Sequence, residues 1–108
     1  MNIGCPFCDK SKIKSEVTER FGCYVFEPLN PVTPGHLLVV PKEHITDFMD
    51  KPLRFSQACF VAANVAKELG GDFNLITSKG AYATQTVFHC HIHLIPRKEN
   101  DGLKLPWS

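Results

Sequence analysis

Apolar and polar positions change rhythm several times along the chain, and each change predicts an element. Residues 23–27 (CYVFE) are rich in the aromatic and β-branched side chains that suit strands. Residues 28–35 (PLNPVTPG) carry three prolines and read as a turn-rich loop, and 36–40 (HLLVV) form a short apolar run. The pattern predicts strand, loop, strand, with Pro41 ending the second strand and Lys42-Glu43-His44 leading toward a helix. Between Leu53 and Leu69 the apolar residues Phe55, Cys59, Ala62, Ala66 and Leu69 recur at three- and four-residue steps, the spacing of one helical face. Gly70-Gly71 stops that run. Residues 73–77 (FNLIT) predict a strand, 78–84 (SKGAYAT) a loop, and 87–95 (VFHCHIHLI) a last strand closed by Pro96. Strands punctuated by a single main helix predict an α+β class with a mostly antiparallel sheet.

A length of 108 residues with 44% hydrophobic content fits a single domain spanning 1–108. A core of that size gains from a structural metal or from dimerisation. The net charge of only +1 removes the long-range basic field that dominates nucleic-acid binding, so an anionic ligand must be held by local groups. No apolar stretch approaches the roughly 20 residues of a membrane span, and the first ten residues contain no secretory apolar run. These features predict a cytoplasmic protein with neither nucleic acid nor membrane as partner. Five cysteines, of which only Cys5 and Cys8 are neighbours in sequence, suit reduced thiols better than a disulfide framework. Cys23, Cys59 and Cys90 sit among apolar residues and read as small buried hydrophobes.

His89, His91 and His93 alternate with Cys90, Ile92 and Leu94, so on a strand the three imidazoles project from one face. A solvated edge face would usually mix Lys, Thr and Glu instead. One metal on all three rings is awkward, because at about 3.3 Å per residue the outer two start about 13 Å apart, whereas zinc–nitrogen bonds are about 2.0–2.1 Å. The three histidines are therefore expected to divide their duties. A central imidazole as nucleophile fits best: with an ordinary pKa near 6.5 it is largely neutral at pH 7, while its neighbours assist a leaving group or hold the strand.

Cys5-Pro6-Phe7-Cys8 is a lone C-x-x-C pair. As half of a tetrahedral zinc site it needs two more ligands, for which His36, His44 and one of the triad histidines are available. An unliganded pair and a redox pair are the competing readings, the latter disfavoured because no strand precedes it.

The run His89-Cys90-His91-Ile92-His93-Leu94-Ile95, led by Gln85-Thr86-Val87 and followed by Pro96-Arg97, resembles the signature of the histidine triad (HIT) family, H-φ-H-φ-H-φ-φ with φ apolar. Residues 30–42, with His44, also resemble that family's proline-rich loop and following strand. The resemblance implies an α+β fold with a five-stranded antiparallel sheet and one main helix, usually paired into a homodimer. It implies that His91 attacks the α-phosphorus of a nucleotide and becomes nucleotidylated, and that His93 contacts phosphate and helps the leaving group. His36 matches a further histidine beside the triad. Gln85 and Thr86 would hold phosphate or bridging oxygens, and Glu27 and Asn30 join the substrate-binding set. In zinc-containing members the structural Zn2+ ligands correspond to Cys5, Cys8, His44 and His89. The implied activity is hydrolysis or nucleotidyl transfer that releases a nucleoside monophosphate from a dinucleoside polyphosphate or a nucleoside phosphoramidate.

Three positions depart from the family pattern. Pro28 stands where an Asp or Asn commonly bonds the ribose, with Glu27 the neighbouring replacement. Ser78 occupies a frequent Asn position, and Thr84 a frequent Gly whose backbone approaches phosphate. The alternative functions are a low-turnover nucleotide-binding or protein-interaction module on the same fold and a hydrolase that uses the triad as metal ligands. The alternating Leu103, Leu105 and Trp107 of the tail at 101–108 either wall the leaving-group pocket in strand fashion or pack at a dimer interface. Lys10, Lys12 and Lys14 read as a solvated basic face in preference to phosphate contacts.

Overall fold

The computed structural model describes residues 4–107. Its regular elements are β1 (Val17–Arg20), β2 (Cys23–Phe26), β3 (Leu37–Pro41), α1 (Pro52–Leu69), β4 (Asp72–Ile76) and β5 (Ile92–Arg97), with single 3-10 turns at Lys10–Lys12 and Ala81–Ala83. The five strands form one sheet in the order β1-β2-β3-β5-β4, every neighbouring pair antiparallel. This is the α+β architecture that the pattern of strands around one helix predicts.

Strand alternation divides the sheet into two faces. Cys23, Val25, Val39, Ile92 and Leu94 point to one face, where α1 covers them with Ala58, Val61, Ala62 and Val65. The buried stripe of α1 is thus rotated from the one that spacing predicted. Phe55, Cys59 and Ala66 only flank it, and Leu69 is 59% exposed beside the Gly70 cap. Pro52 starts the helix, where a missing N–H costs nothing. On the other face Phe26, Leu38 and Val40 pack under Phe7 and Ile13 of the N-terminal segment, which covers only part of it.

Several expectations are corrected. The strand read over 87–95 is regular only from Ile92, and it continues through Pro96 to Arg97. Pro96 is tolerated because β3 pairs with β5 only as far as Leu94, so at Pro96 the strand has a neighbour on one side alone. Upstream, the Cys90 N–H donates to the Ile45 carbonyl at 2.6 Å instead of entering a ladder, which bends residues 87–91 out of the sheet. The strand read over 73–77 runs over Asp72–Ile76, and Thr77 instead donates its hydroxyl to the His91 carbonyl. β1, with the polar sequence VTER, carried no periodic signal. The tail has no strand over 101–107, and Ser108 lies outside the described residues. Arg97 grips Asp101 through two nitrogens and bonds Asn74 and the Leu103 carbonyl, while Asp101 accepts from the Lys98 and Leu103 amides, a knot that turns the chain away from the sheet. Among the described residues no helix is long and apolar enough to cross a membrane.

Candidate functional site

The uncovered part of the second face is a cleft of about 670 Å³, within the range of small-ligand sites. Its floor is His91, His93, Ile95 and Leu38, and its walls come from the N-terminal segment (Phe7, Ile13), the end of β2 with its loop (Glu27, Pro28, Asn30) and Thr86-Val87. His93 and Ile95 reach this floor because they alternate with Ile92 and Leu94, which face the helix. The register that pairs Leu38 with His93 puts His36, two residues before Leu38, on the same face. Gly35 makes that approach possible: at φ +88° a Cβ would meet Pro96 Cγ at 3.2 Å.

Four hydrogen bonds assign the imidazole protons. The Val32 N–H donates to His36 Nδ1 at 3.1 Å, so the neutral His36 ring carries its proton on Nε2. That Nε2–H donates to His93 Nδ1 at 3.0 Å, which leaves the His93 proton on Nε2. His91 Nδ1–H donates to the His89 carbonyl at 2.8 Å, so the Nε2 lone pair of His91 is bare. His89 Nε2–H donates to the Pro41 carbonyl at 2.7 Å, and its Nδ1 lone pair faces the thiols of Cys5 and Cys8 at 3.3 and 3.5 Å. Burial, reinforced by His91 and His36 beside it, pushes the His93 pKa down to about 4. Burial lowers His36 too, against the opposing pull of Glu27. Among the described residues no buried side-chain nitrogen or oxygen is without a partner.

The three histidines do not share one strand face. His89 is fully buried in a second group with Cys5, Cys8 and His44, whose ligand atoms all lie within 4.8 Å of one another. His91 and His93 stay in the cleft with ring centroids 5.2 Å apart. The rings are thus separated in space by bending of the chain, not along an extended strand. The donor set suits a metal. His89 has the tautomer a ligand needs, fixed by the kind of backbone carbonyl contact that orients metal-bound imidazoles, and His44 Nδ1 lies 3.0 Å from Cys8 Sγ. The cluster can therefore hold a metal ion.

Of the residues expected to touch substrate, Glu27, Asn30, Thr86, His36, His91 and His93 line the cleft, and Gln85 does not. Gln85 is 5% exposed, its amide nitrogen donates to the Thr46 and Val87 carbonyls, and its oxygen accepts from the Gly80 N–H. Every polar atom of that side chain is occupied in pinning the loop before the histidines. Thr84 holds the left-handed conformation at φ +68°, which explains why glycine suits this position, but it lies outside the cleft lining. Lys12 and Lys14 line the cleft mouth, against the reading of a purely solvated face, whereas Lys10 pairs with Glu19. The tail contributes nothing to the lining, and Trp107 is 80% exposed. Cys23 and Cys90 are buried as expected, and burial raises their thiols to about 11 and about 12, which makes them inert. Sequence reasoning missed Phe7, Ile13 and Val87 as cleft walls and the Val32 amide and Pro41 carbonyl as proton setters. The last two are main-chain groups that no residue type advertises.

A model of the HIT domain matches residues 10–100. The chain is 35% identical to an adenosine 5'-monophosphoramidase of Saccharomyces cerevisiae, covering 99% of this chain and 72% of that protein. It is 34% identical to an adenylylsulfatase of Arabidopsis thaliana, covering 92% of this chain and 55% of that one. A zinc-bound histidine triad family protein of Mycobacterium smegmatis superposes with a TM-score of 0.81 at 31% identity, over 95% of this chain and 81% of the other.

Proposed function

The chain belongs to the HIT domain family, and from that premise we propose that it cleaves nucleotides at the α-phosphorus through a covalent nucleotidyl-His91 intermediate. The observation that carries this reading is the bare Nε2 of His91, held in a cleft beside His93 with its tautomer set by the His89 carbonyl. The relatives named for releasing AMP from a nitrogen or a sulfate leaving group support the substrate class, a nucleotide whose α-phosphate carries an exchangeable group.

His91 Nε2 attacks phosphorus, a P–N bond forms, and the bond to the leaving group breaks with its electron pair going to the leaving atom. His93 presents its Nε2–H to that atom, with His36 holding Nδ1 from behind. Water or another acceptor then attacks phosphorus, breaks the P–N bond and restores His91. In the hydrolytic case one water supplies, over the cycle, the hydroxyl kept by the nucleotide and the proton taken by the leaving group. Donors on rigid strands, ready before charge develops, are what such a step requires. The Thr86 hydroxyl and the Lys12 and Lys14 ammoniums would donate to phosphate oxygens, and Glu27 and Asn30, which also line the cleft, would meet the sugar.

Two sulfurs and two imidazoles make a closed set that suits zinc, and the ion would tie the N-terminal segment to the sheet without an open position for water. The same reading pairs two chains in a homodimer, supported by exposed Leu53, Phe60, Leu75 and Trp107, in a cytoplasmic setting compatible with the free thiols.

The test incubates wild type and His91→Ala with adenosine phosphoramidate and with diadenosine polyphosphates, measuring AMP release and intact mass. Release and an adenylyl adduct in wild type alone are expected. AMP binding without release from either protein would instead identify a nucleotide-binding module.

A further inference from the structure

Phe7 stands between the two halves of the site. Its backbone is flanked by the ligands Cys5 and Cys8, so its position is tied to the cluster. Its ring packs edge-on against His89 (centroids 6.1 Å, 78°) and against His91 (5.3 Å, 71°), and rests on Phe26 at 5.6 Å. Among the described residues the one polar bond of the His91 ring is Nδ1–H to the His89 carbonyl, which sets the tautomer but leaves the ring free to swing about that bond. The swing is limited by the two rings that touch it, Phe7 and His93. Two of the three restraints on the nucleophile are therefore tied to the four-ligand cluster: the carbonyl belongs to the ligand His89, and the phenyl ring sits between the ligands Cys5 and Cys8.

We propose that Phe7 is a positioning residue that holds the His91 ring with Nε2 aimed into the cleft and makes that aim depend on closure of the Cys5, Cys8, His44, His89 cluster. The proposal rests on the reading of His91 as nucleophile. A bound ion that never touches substrate would then control the rate through an aromatic contact.

The experiment compares metal-loaded wild type, Phe7→Ala and Phe7→Tyr with metal-stripped wild type. Metal per chain, AMP Kd, kcat and KM for adenosine phosphoramidate, and the long-range proton–nitrogen spectrum of the His91 ring are measured. Phe7→Ala is expected to keep its metal and to weaken AMP binding and KM only by what one missing cleft wall costs, while kcat falls about ten-fold or more, the scale of a misaligned reacting group. Its His91 ring signals broaden or split, Phe7→Tyr restores both readouts, and the stripped wild type shows the same change at His91. An unchanged kcat, or a loss confined to KM and AMP affinity, would overturn the proposal by leaving Phe7 as an apolar wall and nothing more. Unchanged His91 signals in stripped protein would overturn the link to the metal. Should Phe7→Ala shed its ion, Phe7→Leu refills the volume without the ring, and wild-type kcat there also overturns the proposal. If wild type itself forms no adduct, the nucleophile reading fails, while the His91 spectrum still reports on the contact.

Discussion

The neutral His93 ring makes the folded protein sensitive to acid in a defined window. Burial, with His91 and His36 facing it, places its pKa at about 4 in the fold, against about 6.5 in the unfolded chain. A base whose pKa is lowered by folding binds fewer protons in the native state than in the unfolded one between those two values. Stability therefore rises with pH across the window and is lost as pH falls through it. At full weight the shift corresponds to about 3 kcal/mol. The ring borders an open cleft, so solvent screening reduces this to roughly 1–2 kcal/mol. Urea unfolding of wild type and His93→Asn from about pH 7 to about pH 4.5 reads the contribution of His93 together with the His36 ring bonded to it, because protonation events at groups out of contact with the pair, such as the metal ligands, cancel in the difference. Wild type should lose stability relative to the variant by that amount on acidification. Parallel curves, or a His93 pKa of 6.5 or above by nuclear magnetic resonance, would refute the reasoning.

Metal removal tests the tether. The thermal midpoint of wild type should climb with free zinc, by an amount equivalent to about 3 kcal/mol at a hundred times Kd, and Cys8→Ser should show no such dependence. A zinc-independent wild-type midpoint would mean that the cluster does not stabilise the fold. Gln85→Ala should cost about 1–3 kcal/mol in denaturant unfolding, since it strips partners from three part-buried backbone groups, with a smaller effect on turnover than His91→Ala. A large rate loss at unchanged stability would return Gln85 to the phosphate.

The two side-chain groups of the candidate site were legible from residue types at fixed spacing. Three histidines at alternate positions cannot easily converge on one ion, and a C-x-x-C pair short of two ligands implies partners from elsewhere in the chain. The cleft walls were less legible because apolar side chains such as Ile13 and Val87 look the same whether they face a core or a ligand. Gln85 is the opposite case. Its place beside the motif suggested a phosphate contact, but three neighbouring backbone groups captured its amide first.

The linear pattern determined the α+β class, the single main helix, the strands on either side of the proline loop and the expectation that three histidines in line do not all serve one centre. Those follow from local periodicity and from side-chain reach, which neighbours in sequence set. Only the tertiary structure decided how the separation is achieved. A regular strand would have carried His89 onto the cleft face, and the chain bends because a buried imidazole needs a partner for each ring nitrogen. His89 finds them in the Pro41 carbonyl and the Cys5 and Cys8 thiols, brought from distant parts of the chain. The proton positions on His36 and His93 likewise depend on a Val32 amide that the Gly35 turn delivers. Main-chain donors and acceptors are identical at nearly every residue, so which of them meets a given ring is settled by folding alone.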